Sequence, residues 1–223
     1  MLCPSRGRPD AAKQVAEAFQ ATATDPGTAL CFVVDADDPT RDDYPNIGQN
    51  ITTMIIDPPP GCMNAALNAA AATPYALGFE VVGFIGDDHR FRTSGWDTTI
   101  WRFLQGHKGI AYADDLFQRM RLPTMWFVSQ PIVREFGMGH PEMRHLWIDN
   151  YWKELGEAAE CLYYFEHIVI EHLHPAAGKA EWDENYLRVN STEVADHDHG
   201  VFLRWMETGL RADADRVRAL IAE

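Results

Sequence analysis

The sequence predicts an α/β domain with a mostly parallel central sheet flanked by helices and a helical C-terminal tail. Three observations carry that prediction. Short apolar runs rich in β-branched residues, Leu30–Val34, Thr52–Ile56, Val81–Ile85 and Thr124–Val128, have the length of buried strands. Between them lie segments whose apolar residues recur at helical spacing. The runs also end in acids, Asp35 in one and Asp87-Asp88 in another, at the end of an open α/β sheet where ligands bind.

The chain opens with Leu2-Cys3-Pro4-Ser5-Arg6-Gly7-Arg8-Pro9, a short strand entering a polar loop, with Pro9 suited to a first helical turn. Ala12, Val15, Ala16 and Phe19 then follow at helical spacing. The loop's backbone N–H groups and guanidinium forks suit a phosphate or a ribose, and a solvated loop explains them as well. After the Asp25-Pro26-Gly27 turn, Leu30–Val34 ends at Asp35, the acid best placed to accept from a ribose hydroxyl or a base edge. Asp37 and Asp38 read as turn and surface residues. Thr52–Ile56 is stopped by Asp57 and three prolines, and Gly61 opens a helix with Met63, Ala66, Leu67 and Ala70 on one face. Asn64 and Asn68 share a neighbouring face, either reading something polar or simply exposed.

Val81–Ile85 organises the rest, because Gly86-Asp87-Asp88 stands at its tip. Adjacent carboxylates disfavour each other's ionised form. A divalent cation sharing its shell with phosphate oxygens relieves that, and a plain polar turn is the other reading. Trp96, Ile100, Phe103 and Leu104 then mark an amphipathic helix. Ser129 is expected to cap a short helix through Phe136, and Gly137-Met138-Gly139-His140-Pro141 reads as a mobile loop. Asp149 stands immediately before a helix carrying Tyr151, Trp152, Leu155 and Ala158, as an N-cap or as a general base.

Ile168–Glu171 is a late strand running into His172-Leu173-His174, whose imidazoles point to one side in extended structure. They suit a shared metal, or a metal and a phosphate. Gly178-Lys179 and Trp182-Asp183 follow. From Ser191 the chain is helical, with Phe202, Trp205, Met206 and Leu210 on a face that packs on the sheet or on a partner, so a homodimer is one outcome. Asp196-His197-Asp198-His199 has metal-like composition but sits as a solvated face would.

Composition narrows the class. The 223 residues suit one domain. No apolar run of membrane-spanning length and no signal-peptide pattern is present, and four scattered cysteines suggest reduced thiols, together an expectation of a cytoplasmic protein. A net charge of −14 argues against bulk adhesion to nucleic acid. A local groove from Arg90, Arg92, Arg102, Arg119 and Arg121 is compatible with it, as are scattered surface arginines. Trp96, Trp101, Trp147, Trp152 and Trp182 are candidate stacking platforms or core.

The ordered set of Ser5-Arg6-Gly7-Arg8-Pro9, Asp35, Gly61 with Asn68, Gly86-Asp87-Asp88, Asp149 before a helix and His172-Leu173-His174 resembles the GT-A glycosyltransferases from Leu2 to Asp183. The resemblance implies a single GT-A-like, Rossmann-like domain over 1–189 with a helical extension over 190–223 packing on it. It implies a nucleotide-sugar donor, a UDP-sugar first, and Mn²⁺ or Mg²⁺. It places Ser5, Arg6, Arg8, Asp35, Asn68, Asp87 and Lys179 at the donor, Asp88 with His172 or His174 on the metal in the manner of an Asp-X-Asp motif, and Asp149 as base of an inverting transfer. The arginine common beside the asparagine is Leu67 here, and Ile148 stands where a glutamate often precedes the base. The acceptor implied is a hydroxyl of a glycan, a modified DNA base or a virion protein, since small members of this kind occur in bacteria and bacteriophages. The competing readings are a nucleotidyltransferase, a metallohydrolase using Asp88, His89, His172, His174 and His197, and a nucleotide-binding module without turnover.

Overall fold

The structure, a computed structural model, describes residues 1–57 and 62–222. The expectation that Gly61 opens a helix falls outside the described residues. In chain order the elements are β1 (Leu2–Ser5), α1 (Pro9–Thr22), β2 (Leu30–Asp35), β3 (Ile51–Ile56), α2 (Met63–Ala71), α3 (Pro74–Leu77), β4 (Val81–Phe84), β5 (His89–Phe91), α4 (Trp96–Gly106), β6 (Ile110–Asp114), β7 (Trp126–Ser129), α5 (Gln130–Phe136), α6 (Ile148–Ala158), β8 (Leu162–His172), α7 (Glu184–Val189), α8 (Thr192–Thr208) and α9 (Leu210–Ala222). Among the described residues no helix is long and apolar enough to cross a membrane.

The strands form one sheet in the order β3-β2-β1-β4-β7-β6-β8-β5. The half from β3 to β4 is parallel, with Cys3 opposite Phe32 and Val33 opposite Met54. The other half is mixed: β7 runs antiparallel to both β4 and β6, β8 is parallel to β6, and β5 is antiparallel to β8. The sheet is therefore mostly parallel only on one side. The chain passes from β1 outward to β3 and then returns across to β4, so the order reverses between β1 and β4. That reversal opens a crevice at the carboxyl ends of the strands.

Strand β2 reads as a continuous apolar run because both of its faces are covered. Cys31 and Val33 join one core with α2, α5 and α6, while Phe32 and Val34 join the other with α1 and α4. Phe127 and Trp126 divide between the same two cores. Helices α8 and α9 add Val201, Phe202, Trp205, Ala214 and Val217 to the first. Strand β6 was hidden in the sequence, since alanines at 111 and 113 are weak β-formers held here by burial between β7 and β8.

Two local expectations are corrected. Ser129 occupies the N-cap position of α5, but its hydroxyl makes no cap and instead accepts from the Gly109 N–H at 3.0 Å. The glycine loop is tied down: Asn64 donates to the carbonyls of His140 and Met143, Asn68 accepts from Met138 N–H and donates to Gly139, and Trp152 donates to Met138. A side chain at Gly137 or Gly139 would meet the oxygen of Asn68 or Asn64 at 2.4 or 2.5 Å, so these glycines serve close approach.

Gly109 lies close against the backbone of Cys161 in the sheet's mixed half. A Cβ there would lie 2.5 Å from the Cys161 carbonyl, which cannot rotate away. Gly109→Ala is expected to cost about 2 kcal/mol, lowering Tm by about 6 °C in a thermal melt.

Candidate functional site

A cleft of 270 Å³ opens where β1, β2 and β4 end, closed on the far side by α6 and α7. Gly86 lets the chain fold back on itself, since a Cβ there would lie 2.5 Å from an Asp88 carboxylate oxygen. Asp87 then turns toward β1: Ser5 Oγ donates to it at 2.6 Å and Arg8 at 3.2 Å. Burial, and then the neighbouring Asp88, push Asp87 up to about 6.

Asp88 turns the other way. Burial opposes its ionisation, but His172 Nε2 at 3.1 Å and His89 hold its carboxyl well below the usual carboxylate range. The Tyr186 hydroxyl also donates to Asp88, and the Arg8 guanidinium lies 4.4 Å over the Tyr186 ring. Asp183 caps α7 through Tyr186 N–H and pairs with Arg8. Neither Tyr186 nor these contacts was anticipated, because α7 reaches the cleft only through tertiary packing.

Asp88, His89 and His172 present ligand atoms that all lie within 4.8 Å of one another. His174 is not in that group: its Nδ1 accepts from Ala176 N–H, and its ring stacks on Phe117. His89, expected beside Asp88 and His172 only on the metallohydrolase reading, is a member of the group. Nδ1 of His89 lies 3.1 Å from the Gly86 N–H and 3.0 Å from an Asp88 oxygen, and it accepts from the one or donates to the other according to its tautomer. Nε2 of His89 is buried without a hydrogen-bond partner among the described residues. A carboxylate with two imidazoles, deprotonated on binding, is a donor set a divalent ion accepts.

Behind His172 stands Asp115, which the sequence reading missed along with β6. It is 1% exposed and accepts from Thr124 Oγ1 and from the N–H groups of Phe117 and Arg119. These bonds outweigh its burial and hold it far below the carboxylate range. Its Oδ2 lies 3.9 Å from His172 Nδ1. Burial alone would lower His172, but Asp115 and Asp88 lift it to about 9.

Asp149 is corrected in position and not in place. The N-cap of α6 is Trp147, with a left-handed backbone, so Asp149 is the second helical residue. Its carboxyl lines the cleft and makes no hydrogen bond among the described residues. Burial, and then the charges of Asp115 and Asp88, raise it to about 7.

At the other end of the cleft Arg6 donates to Asp35 at 3.0 Å and also to Asp37. Asp38, expected at the surface, is 2% exposed and accepts from Gly7 N–H, Thr40 and Tyr44, fixing the loop that carries Arg6 and Arg8. Asn68 and Lys179 are not brought to the cleft. Asn68 holds the glycine loop, and Lys179 pairs with Glu171 at 2.8 Å. Arg90 does not join an arginine groove; it is buried and donates to the carbonyls of Asp87 and His89.

The Asp196–His199 cluster supplies a support that its composition disguised. Asp198 is fully buried and accepts from three successive N–H groups, Arg144, His145 and Leu146, at 2.9, 2.8 and 2.8 Å. His197 bonds Asp198, and His199 stacks on Trp147. Trp96, Trp126 and Trp152 are core, whereas Trp182 is 52% exposed.

Two measurements follow from this geometry. Asp115→Asn is expected to weaken Mn²⁺ binding at least tenfold, read by titration calorimetry, because a carboxylate behind a histidine that would hold the ion raises the basicity of its ring. Asp149 has a folded pKa above its unfolded value, so its ionisation destabilises the fold increasingly from about pH 4 to about pH 7. Asp149→Asn should therefore raise stability at pH 8 by about 2 kcal/mol, discounted for its partial exposure, and by much less at pH 5.

No family model matches the chain, and no curated protein matches it. Solved structures do. S. aureus TarS 1–349 in complex with UDP-GlcNAc superposes with a TM-score of 0.62 at 10% identity, over 99% of this chain and 70% of that one. A mannosyltransferase from Pyrobaculum calidifontis in complex with GDP-Man and Mn²⁺ gives 0.56 at 10% identity, over 99% and 73%. Against a second S. aureus TarS structure the chain gives 0.54 at 11% identity and spans 44% of that longer chain. Likeness at such identity speaks for architecture alone, and the architecture of this chain is that of the GT-A glycosyltransferases.

Proposed function

We propose that the chain is a metal-dependent, inverting glycosyltransferase that moves a sugar from a nucleotide-sugar donor to a hydroxyl acceptor. One observation carries the reading: an unpartnered carboxyl raised to about 7, Asp149, shares a cleft with the Asp88, His89 and His172 group. A general base must be deprotonated near working pH yet basic enough to take a proton, and that value meets both needs.

In this reading the nucleotide lies toward Arg6 and Asp35, where a carboxylate and a guanidinium offer an acceptor and donors for the base and ribose. Arg8, with Ser5 and Asp87, faces the diphosphate and sugar. Asp88 and His172, with His89, would hold a divalent ion, which supplies Lewis-acid stabilisation of the departing diphosphate. Asp115, 3.9 Å from Nδ1 of His172, raises the basicity of that ring. Asp149 accepts the acceptor hydroxyl's proton as that oxygen forms its bond to the anomeric carbon, and the nucleoside diphosphate leaves from the opposite face. The neighbours of known structure hold UDP-GlcNAc in one case and GDP-Man with Mn²⁺ in another, which supports a donor of this class. A UDP-sugar is the first to test. A glycan, a modified DNA base or a virion protein each offers the required hydroxyl, and the net charge of −14 disfavours unassisted binding to DNA.

The test is turnover of nucleotide-sugars with Mn²⁺, followed by identifying the leaving group. Release of a nucleoside diphosphate is expected, whereas pyrophosphate would mean a nucleotidyltransferase. Asp149→Asn should lower kcat about 10³-fold while leaving the donor-induced thermal shift in place. In the native protein log kcat/KM should climb with unit slope below about pH 7 and level off above it. Full activity in Asp149→Asn would remove the base from the mechanism.

A further inference from the structure

His145 is the polar side chain in the cleft that the reading above leaves without work. It lines the same cleft as Asp88 and Asp149, and neither of its ring nitrogens has a hydrogen-bond partner among the described residues. Nδ1 is sealed from solvent, which leaves Nε2 as the atom able to reach a ligand. Nε2 is a polar atom at the cleft wall with no protein group to bond among the described residues, and a ligand group in the cleft can take that place.

The backbone around His145 is held unusually firmly for a loop. The buried carboxylate of Asp198 takes the N–H groups of residues 144, 145 and 146 together, so the ring is carried on a clamped turn and not on a free segment. Position narrows the ligand further. His145 lines the cleft together with Asp88, Arg8 and Arg188. Four residues later comes Asp149. A sugar undergoing displacement must lie between the group that receives the leaving diphosphate and the base that activates the acceptor, and His145 shares the cleft with both.

Its charge state suits a hydroxyl. Burial, with Arg188 adding to it, lowers the imidazole to about 4, so it is neutral at working pH. A neutral imidazole offers one donor and one acceptor and no charge for a phosphate. A hydroxyl can meet either.

We infer that His145 is a specificity-determining residue that hydrogen-bonds a hydroxyl of the transferred sugar through Nε2. The inference rests on the glycosyltransferase reading and deepens it, by assigning the sugar subsite to the clamped turn between the Asp88 end and Asp149.

The experiment is calorimetric binding of UDP and UDP-GlcNAc, and of GDP and GDP-Man, with Mn²⁺, to the wild type and to His145→Phe and His145→Gln. Phe keeps the ring's bulk without nitrogens, and Gln returns a hydrogen-bonding group at similar reach, which guards against a variant that merely misfolds. For whichever nucleotide binds, His145→Phe should leave the nucleoside diphosphate's Kd unchanged and weaken the nucleotide-sugar about tenfold, with His145→Gln recovering part of that loss. Equal weakening of both ligands, or of neither, overturns the assignment while leaving the donor site standing. A loss confined to the acceptor's KM would move His145 to the acceptor and also overturn it. Failure of every nucleotide to bind the wild type overturns the glycosyltransferase reading and this inference with it.

Discussion

The half-buried carboxylate of Asp88 is the constraint around which the cleft is arranged. Asp87, Asp115 and Asp149 each feel its charge or stand with it, and unscreened acids of one sign do not share a small volume. The structure separates them by giving each a different counterpart. Asp87 is turned to Ser5 and Arg8, Asp115 to backbone donors and Thr124, and Asp88 to two stacked imidazoles whose centroids lie 4.2 Å apart. Asp149 alone receives no donor, and its raised pKa is the result. The difference between a structural acid and a candidate base here is the presence or absence of a hydrogen bond.

The fold makes this possible by bringing strand ends together from distant parts of the chain. Asp88 follows β4 and His172 ends β8, which is paired with β5 so that His89 and His172 are register partners. Strand β6, parallel to β8, places Asp115 behind them. The antiparallel members of the sheet therefore matter to the site as much as the parallel half does: without β5 there is no stacking of the two histidines, and without β6 no carboxylate beside one of them.

The helices do comparable work from outside. Asp198 on α8 pins the turn that carries His145 and leads to Asp149, and Asp38 pins the loop that carries Arg6 and Arg8. Both acids looked solvated in one dimension, since each sits among other polar residues. Burial changed their meaning. A fully buried carboxylate that accepts from several backbone amides is an anchor, whatever its neighbours in sequence are. Asn64 and Asn68 show the same lesson: an amide pair on one helix face was legible, and its object, the glycine loop, was not.

Local pattern was enough for much of this protein. Apolar runs marked β2, β3, β4 and β7, helical periodicity marked α1, α2 and α4, and acids at the strand tips located the ligand end of the sheet, because side-chain burial and strand termination are written in nearest neighbours. Ser5, Arg6, Arg8, Asp35, Asp87, Asp88, Asp149 and His172 were all legible as candidates on that basis, and all of them line the cleft. What required the tertiary structure was partnership. The grouping of His89 with Asp88 and His172, the Asp115 neighbour, the Tyr186 contact and the removal of Asn68 and Lys179 from the cleft all depend on which distant group a side chain meets. Pairing across a sheet and docking of a tail are set by the packing of the whole chain, and no spacing within one segment encodes them.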